Sequence, residues 1–392
     1  CIRDRVKSAQ NGSGSYTSSD GTTKTVTISE VDPTKAVVFY SLDGGDSEPQ
    51  DDSIRVYLNS GTQLEFHTNG TPDVTVNFEY QVIEFEGDLT VQNYESLNTG
   101  GNTTITINET DWQFAFINGL GFAKSGTNYT NDDQNRIAIN STTSLRATGQ
   151  STNADQDTSG QVVQSTGLRA QHLYHGTKST TATSINLACA APPPDSVMVF
   201  GSHEHSSGAN SGFDDYAWAA EYTQGNVELF RESGQSMTFE ASVDVVSWDP
   251  SLVRVQRGRL RQFNVTKVTL GNRTVGRQDM WSARVVSITN HWSMAAGDRS
   301  TDEYKFFYHS ITQDADGTFG VTRAAAGNYN SEFHWEIHEW QTPRLAGLRL
   351  PLIAATQSTG GGTLNETFTA AGSSTMVITG ITVRTSASFA GT

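Results

Sequence analysis

Four adjacent pairs of acidic residues are the first side chains in this sequence whose type and spacing could do chemistry. Two neighbouring carboxylates can ligate a calcium ion, or can divide the work of an acid and a base between them. The pairs are Asp51-Asp52, Asp132-Asp133, Asp214-Asp215 and Asp302-Glu303. Each pair precedes a strand-like segment, its chemical surroundings change, and no calcium-loop pattern accompanies it. We therefore interpret the pair as structural, where a loop leads into a strand, with ion binding as the alternative.

A second candidate is the alternating series His334, Glu336 and His338. Residues at every second position of a strand share one face, and this arrangement could hold zinc. The corresponding positions of two earlier segments are Glu79, Gln81 and Asp244. A solvated sheet face accounts for the polar residues of all three segments and is the favoured interpretation, and a zinc site is the alternative.

Two further charged clusters have structural interpretations. His203-Glu204-His205 follows the strand-like run 197–200 and precedes Ser and Gly residues, so we expect it at a loop tip rather than in a ligand site. The arginines of the only concentrated basic cluster are Arg254, Arg257, Arg259 and Arg261. In so acidic a chain, we expect them to form an inter-unit or inter-subunit surface that faces acidic neighbours, with an anion site as the alternative.

Motifs of known enzyme classes do not occur in the sequence. It contains no Gly-x-Ser-x-Gly elbow, phosphate-binding loop, His-Glu-x-x-His or dinucleotide fingerprint. We therefore predict that the protein is not an enzyme, and we assign no catalytic, cofactor-binding or metal-binding residues and no cofactor.

The elements that must position these side chains recur along the chain. A glutamine flanked by hydrophobic residues returns at intervals of about 80 to 85 residues, at Gln10, Gln92, Gln171 and Gln256. A strand-like closing segment ends in Phe85, Trp248 and Trp340, and takes a weaker form over 160–164. The glutamine, the acidic pair and the closing segment keep the same order, which is typical of tandem copies of one domain.

Within the copies, apolar and polar residues alternate. Thr25-Val26-Thr27-Ile28 and the run 74–82 follow this pattern, which places one face of a strand on a core and the other in water. The sequence predicts an all-β protein with four tandem antiparallel β-sandwich or β-barrel repeats of about 80 residues and a C-terminal β extension. The predicted boundaries are 1–88, 89–168, 169–249 and 250–341 for the four repeats, and 342–392 for the C-terminal strands.

Composition restricts the partners. The chain of 392 residues carries a formal net charge of −16 and has only 35% hydrophobic residues. Nucleic-acid binding requires a basic stripe, so we expect no nucleic-acid partner. No apolar run reaches about 18 residues, so we expect no membrane-spanning helix. The chain begins at Cys1, as a lipid-anchored protein does after processing, and this leaves a cell-surface lipoprotein adhesin as one alternative.

The first repeat resembles small β-domains of the virion proteins of tailed phages. The resemblance lies in Lys7-Ser8-Ala9-Gln10-Asn11-Gly12, in the series from Thr25 to Lys35, in the arginine-containing strand 54–58 and in the ending Val76 to Phe85. It implies a non-enzymatic structural protein of the tail, fibre or capsid decoration, located in the extracellular virion. It also implies multiple copies and contacts with other virion proteins.

An alternative function is a receptor-binding or carbohydrate-binding fibre or adhesin, for which host-surface glycans are the partners. Under that alternative, loop aromatics such as Trp292 or Tyr129 would offer stacking platforms for sugars.

Overall fold

The fold was taken from a computed structural model of the chain. It describes residues 5–44, 53–71, 75–97, 102–124, 135–149, 156–190, 192, 194–207, 218–231, 237–263, 267–270, 281–285, 296–297, 309–313, 318–323, 330–340, 368–369 and 375–376.

The protein is all-β and antiparallel, as predicted from the alternating pattern. Strand makes up 72% of the structure, and the part that is described contains no helix of seven residues or more and no closed barrel. Three short 3-10 turns occur among the described residues, over Ser18–Asp20, Trp112–Phe114 and Pro194–Ser196. None of them has the length or apolar character needed to cross a membrane.

The strands assemble into pairs of three-stranded sheets. The first sheet pair contains β1 (Arg5–Tyr16), β2 (Thr23–Thr27), β3 (Ala36–Gly44), β4 (Arg55–Ser60), β5 (Gln63–His67) and β6 (Val76–Glu86). The second contains β7 (Thr90–Ser96), β8 (Asn102–Thr106), β9 (Ala115–Lys124), β10 (Arg136–Ser141), β11 (Ser144–Thr148) and β12 (Gln156–Gln164). The third contains β13 (Leu168–Thr180), β14 (Ser184–Ala188), β15 (Val197–Ser207), β16 (Ala219–Thr223), β17 (Asn226–Phe230) and β18 (Met237–Trp248).

The remaining strands belong to a fourth sheet pair and to the C-terminal segment. The fourth pair contains β19 (Val253–Phe263), β20 (Lys267–Thr269), β21 (Trp281–Val285), β22 (Ala296–Gly297), β23 (Ser310–Gln313), β24 (Phe319–Thr322) and β25 (Asn330–Trp340). Residues 345–392 form a separate compact unit, in which β26 (Phe368–Thr369) pairs with β27 (Thr375–Met376).

One strand order describes all four pairs. In the first pair the orders are β1-β6-β3 and β2-β5-β4, and the later pairs repeat them as β7-β12-β9 with β8-β11-β10, β13-β18-β15 with β14-β17-β16, and β19-β25-β21 with β20-β24-β23. The short β22 is an addition that pairs with β25. The last long strand of each pair is therefore the central strand of its sheet. The residue boundaries proposed for the repeats stay a prediction.

The recurrent glutamine occupies the same register in every pair. Gln10, Gln92, Gln171 and Gln256 lie opposite Val82, Val162, Val245 and Ile337 of the central strands. In the first pair, the Gln10 amide donates to the Ser29 carbonyl oxygen and accepts from the Ser29 N–H, at 2.9 and 2.8 Å. Gln92 and Gln171 accept from the backbone N–H groups of Asn108 and Ala190. The glutamine thus ties the first strand to the segment that follows the second strand.

Most of the apolar side chains pack between the two sheets of a pair, but one cluster joins all four pairs. Phe85, Trp248 and Trp340 pack against one another, with ring centroids 5.2 Å apart for Phe85 and Trp340 and 5.5 Å apart for Trp248 and Trp340. Phe116 of β9 adds an edge contact to Trp248 at 5.9 Å. The predicted final aromatics of the closing segments therefore form a shared core.

Much of each central strand is buried on both faces, which corrects one expectation. The alternation over 74–82 was expected to leave Gln81 in water, yet this side chain is fully buried. One face of β6 packs on its own second sheet, and the other faces the neighbouring sheet pairs. The alternating polar residues of β6 therefore pass from water at Asn77, which is exposed, to a polar interface between sheet pairs at Gln81.

Candidate functional site: the polar seams between sheet pairs

A buried polar side chain occupies one equivalent position in each central strand. The four residues are Gln81, Gln161, Asp244 and Glu336, each directly before the strand residue that lies opposite the recurrent glutamine. Their exposed fractions are 0%, 0%, 6% and 2%. Buried polar groups need hydrogen-bond partners. Gln81, Gln161 and Asp244 find one on a neighbouring sheet pair, whereas Glu336 pairs with arginines of its own sheet pair that reach the neighbouring one.

The second pair is joined to the first through Gln161. Its side-chain oxygen accepts a 2.9 Å bond from the Val38 backbone N–H, and its amide donates at 2.9 Å to the Ala36 carbonyl oxygen. Asn118 donates to the Val38 carbonyl oxygen at 3.0 Å and to the Gln161 oxygen at 3.1 Å. The outer edge of β3 is thus bonded to side chains of the second pair instead of another strand.

The third pair is joined to the second through Asp244, whose carboxylate accepts a 2.9 Å bond from the Ile117 backbone N–H. The other carboxylate oxygen lies 2.7 Å from His172 Nδ1, and His172 Nε2 lies 2.7 Å from the Trp112 carbonyl oxygen. Burial acts to lower the pKa of His172, but the charge and hydrogen bond of Asp244, with the Trp112 carbonyl, raise it to about 9. At neutral pH the seam therefore holds a charged histidine between two acceptors.

The fourth pair is joined to the third through charged groups. Glu336 pairs with Arg284 at 2.8 Å, and Arg284 donates to the Val199 carbonyl oxygen. Arg257, 3.7 Å from Glu336, donates to the Val197 carbonyl oxygen. The arginines supply the reach and the donors that this seam uses in place of an amide side chain.

The first pair closes the cycle onto the fourth. Gln81 accepts a 3.4 Å bond from the Ala283 backbone N–H, and Ser41 accepts one of 3.3 Å from the Ile311 N–H. Ser310 donates to the Asp43 carboxylate at 2.7 Å. The third-strand groups contacted at the four seams, Val38, Ile117, Val199 and Ala283, also occupy one register position. The four seams therefore form a closed cycle of equivalent contacts.

The series His334, Glu336 and His338 is buried and not solvated, which contradicts the favoured interpretation. Burial alone would raise the pKa of Glu336, but the charge of Arg284 outweighs it and holds the pKa at about 2. Burial lowers the pKa of His338 to about 4 and that of His334 to about 3. Among the described residues, no group of three His, Cys, Asp or Glu side chains is arranged to hold a metal ion.

The cluster His203-Glu204-His205 was expected at a loop tip, and this expectation is wrong. All three residues lie within β15 and are at most 4% exposed. Glu204 accepts hydrogen bonds from Arg136 at 3.1 Å and from Thr148 at 2.9 Å, both on the second pair. The strand continues past 200 because Glu204 faces the second sheet pair, whereas His203 and His205 lie on the opposite face of the strand, where the His203 ring packs against Phe239 of its own pair.

The basic cluster agrees with the inter-unit interpretation at two of its four arginines. Arg257 contacts the third pair as described, and its guanidinium lies over the Tyr222 ring at 5.2 Å. Arg259 pairs with Glu332 and lies over the Phe230 ring at 4.4 Å. Arg254 is exposed.

Several predicted candidates lie outside the described residues. These are the four acidic pairs, Asp51-Asp52, Asp132-Asp133, Asp214-Asp215 and Asp302-Glu303, and the two loop aromatics, Tyr129 and Trp292.

The sequence analysis aligned Glu336 with Gln81 and Asp244 but missed their shared role in joining sheet pairs, although a signal existed. Gln81, Asp244 and Glu336 all lie four residues before the final aromatic of their closing segments. A polar residue that keeps one place in segments of otherwise different sequence indicates a shared contact. The closing segment that contains Gln161 lacks the final aromatic, so Gln161 could be aligned with the other three residues only once the strand register was known.

No known protein family matches this chain, and no curated protein matches it either. The chemical capacity of the site therefore has to be judged from its geometry. The seam side chains bond backbone groups and one another in the interior, an arrangement that holds strands in place.

Proposed function

We propose that this protein is a non-enzymatic structural protein of a tailed-virus particle, present in several copies on the exterior of the tail or capsid. The observation that carries the architectural part is the closed cycle of equivalent seams. The buried polar groups of this cycle fix the relative positions of the four sheet pairs, as expected for a rigid building block.

The titratable side chains that suggested chemistry support this proposal through their partners. Glu336 forms an ion pair with Arg284, and Asp244 accepts a hydrogen bond from the Ile117 N–H and contacts His172. A catalytic group needs access to a substrate, whereas these groups face protein on all the sides described above. The viral part of the proposal rests on the resemblance of residues 7–85 to phage β-domains.

Mass spectrometry and immunogold electron microscopy of purified virus particles test the proposal. The expected result is a stoichiometric band of this polypeptide in washed particles and labelling at one repeated position on the tail or capsid. Antibody against an intracellular phage protein is the matched control for adhering lysate. Particles that lack the polypeptide after washing would contradict the proposal.

A further inference from the structure

A polar cleft with a volume of about 530 Å³ opens where the second sheet of the second pair meets the first sheet of the third pair. Its lining includes Asn102, Asn140, Arg146, Glu204 and Glu240. The volume lies within the roughly 300–1,000 Å³ of small-molecule sites. The cleft is separate from the interior contacts of Asp244 that join the same two pairs.

An exposed aromatic ring stands beside this cleft. Tyr174 is 58% exposed, although large hydrophobic side chains are otherwise mostly buried in the described part of the chain. Its hydroxyl donates to the Glu240 carboxylate at 2.8 Å, and the Arg136 guanidinium lies 5.2 Å from its ring centroid. The ring is therefore held in place without being covered, and it can offer an apolar surface at low entropic cost.

The polar wall of the cleft is equally fixed. Arg136 donates to Glu204 at 3.1 Å, to Ser242 at 3.1 Å and to Glu240 at 3.2 Å. Thr148 adds a 2.9 Å bond to Glu204. Because these groups are already oriented, a ligand would not bear the cost of ordering them.

The charge of the cleft restricts the chemical class of the ligand. Arg136 and Arg146 are balanced by Glu204 and Glu240, so a phosphate or another strong anion would find no excess positive charge. A sugar hydroxyl both donates and accepts hydrogen bonds, and the cleft offers carboxylate acceptors next to guanidinium and amide groups. We propose that this cleft binds an uncharged saccharide, with one sugar ring stacked on Tyr174 and its hydroxyls bonded to the polar wall.

An array of uncharged and acidic oligosaccharides, probed with the full chain, tests this proposal. We expect saturable binding to uncharged glycans. Isothermal titration with the strongest uncharged binder should then show an affinity loss of at least about tenfold for Tyr174→Ala, while Tyr174→Trp stays within about threefold. Arg146→Ala should also weaken binding, and Arg254→Ala, an exposed arginine on the fourth pair, is the matched control with unchanged affinity.

Three results would overturn the proposal: no uncharged glycan bound, binding restricted to acidic glycans, or the same affinity in Tyr174→Ala as in the unmodified chain. Because Tyr174 is exposed, the variants should keep the melting temperature of the parent, which separates loss of the site from loss of the fold. The outcome does not depend on whether the protein belongs to a virus particle.

Discussion

Arg284 and Glu336 form an ion pair of 2.8 Å in which the side chains are only 2% and 3% exposed. The equivalent positions of the first and second sheet pairs hold Gln81 and Gln161, which carry no charge. A buried pair gains little over apolar groups as long as both partners are present, but the loss of one partner leaves a buried charge. The seam between the third and fourth sheet pairs should therefore be more sensitive to single substitutions than the two amide seams.

Replacement of Arg284 by Met should destabilise the protein by up to about 3–5 kcal/mol, because the buried Glu336 would lose its nearest cation and keep only Arg257, 3.7 Å away, and the contact with His338. The double variant Arg284→Met with Glu336→Gln should recover a substantial part of that loss. Urea unfolding at pH 7 measures both, with Arg254→Met as an exposed control. Equal losses in the single and double variants would show that the packing of the guanidinium matters more than charge pairing.

Acid should weaken the same seam. The pKa of Glu336 in the folded protein is about 2, below its ordinary value, so the stability it contributes is present above about pH 4.5 and is lost as the pH falls towards 2. The melting temperature should therefore fall less steeply between pH 5 and pH 2 in the Arg284→Met, Glu336→Gln double variant than in the parent. Parallel curves would argue against a charged Glu336.

The pH dependence of stability that His172 contributes should have the opposite sign, with stability lost as the pH rises. Its folded pKa is raised to about 9, so the stability from its charged contact with Asp244 is complete below about pH 6.5 and is lost as the pH rises through 9. In His172→Gln, the melting temperature should vary less between pH 6.5 and 9.5 than in the parent. An NMR titration of the imidazole provides the direct measurement, and an apparent pKa below 7 would contradict the prediction.

The amide seam can be tested at Gln161. The Gln161→Leu substitution should lower the free energy of unfolding by about 2–4 kcal/mol, because the buried Val38 N–H and Ala36 carbonyl would both lose a hydrogen-bond partner. Gln92→Leu is the matched control, since Gln92 is only partly buried and its contacts stay within one sheet pair. For Gln92→Leu we expect the free energy of unfolding, measured by chemical denaturation, to fall by only about 1 kcal/mol. Equal costs would mean that the contacts across the seam add nothing.

The closed cycle predicts that the chain can be circularly permuted. Successive sheet pairs are joined by residues 87–89, 165–167 and 249–252, and Val6 pairs with Phe85, which contacts Trp340. A permutant that joins Trp340 to Arg5 through a copy of 249–252 and opens between Pro250 and Ser251 should keep its circular dichroism spectrum. Its melting temperature should lie within about 5 °C of a 5–340 control. An aggregated or non-cooperative product would show that the fourth seam differs from the rest.

Much of the fold could be predicted from the sequence because its landmarks have direct physical causes. The recurrent glutamine bonds across the two sheets of a pair, and Phe85, Trp248 and Trp340 meet in one cluster, so both kinds of residue keep their spacing. Alternation with period two correctly predicted strands, since it follows from the geometry of an extended backbone.

The location of the polar residues could not be predicted in the same way. The two-residue period places Gln81 and Glu336 each on the polar face of its own strand. It does not indicate whether that face meets water or another polar surface. His203-Glu204-His205 was mistaken for a loop for the same reason, because its partners Arg136 and Thr148 lie more than fifty residues away. Contacts between sheet pairs are long-range and leave no local signature.

The closed cycle also has a consequence for how such a protein behaves and diversifies. Because the four sheet pairs are carried on one polypeptide, dilution cannot separate them and subunit exchange cannot mix them, so their stoichiometry is fixed at synthesis. Each position can then change without the other three, which a homotetramer does not allow. The Arg284 and Glu336 pair and the exposed Tyr174 are such individual features, each found in a single member of an otherwise equivalent set.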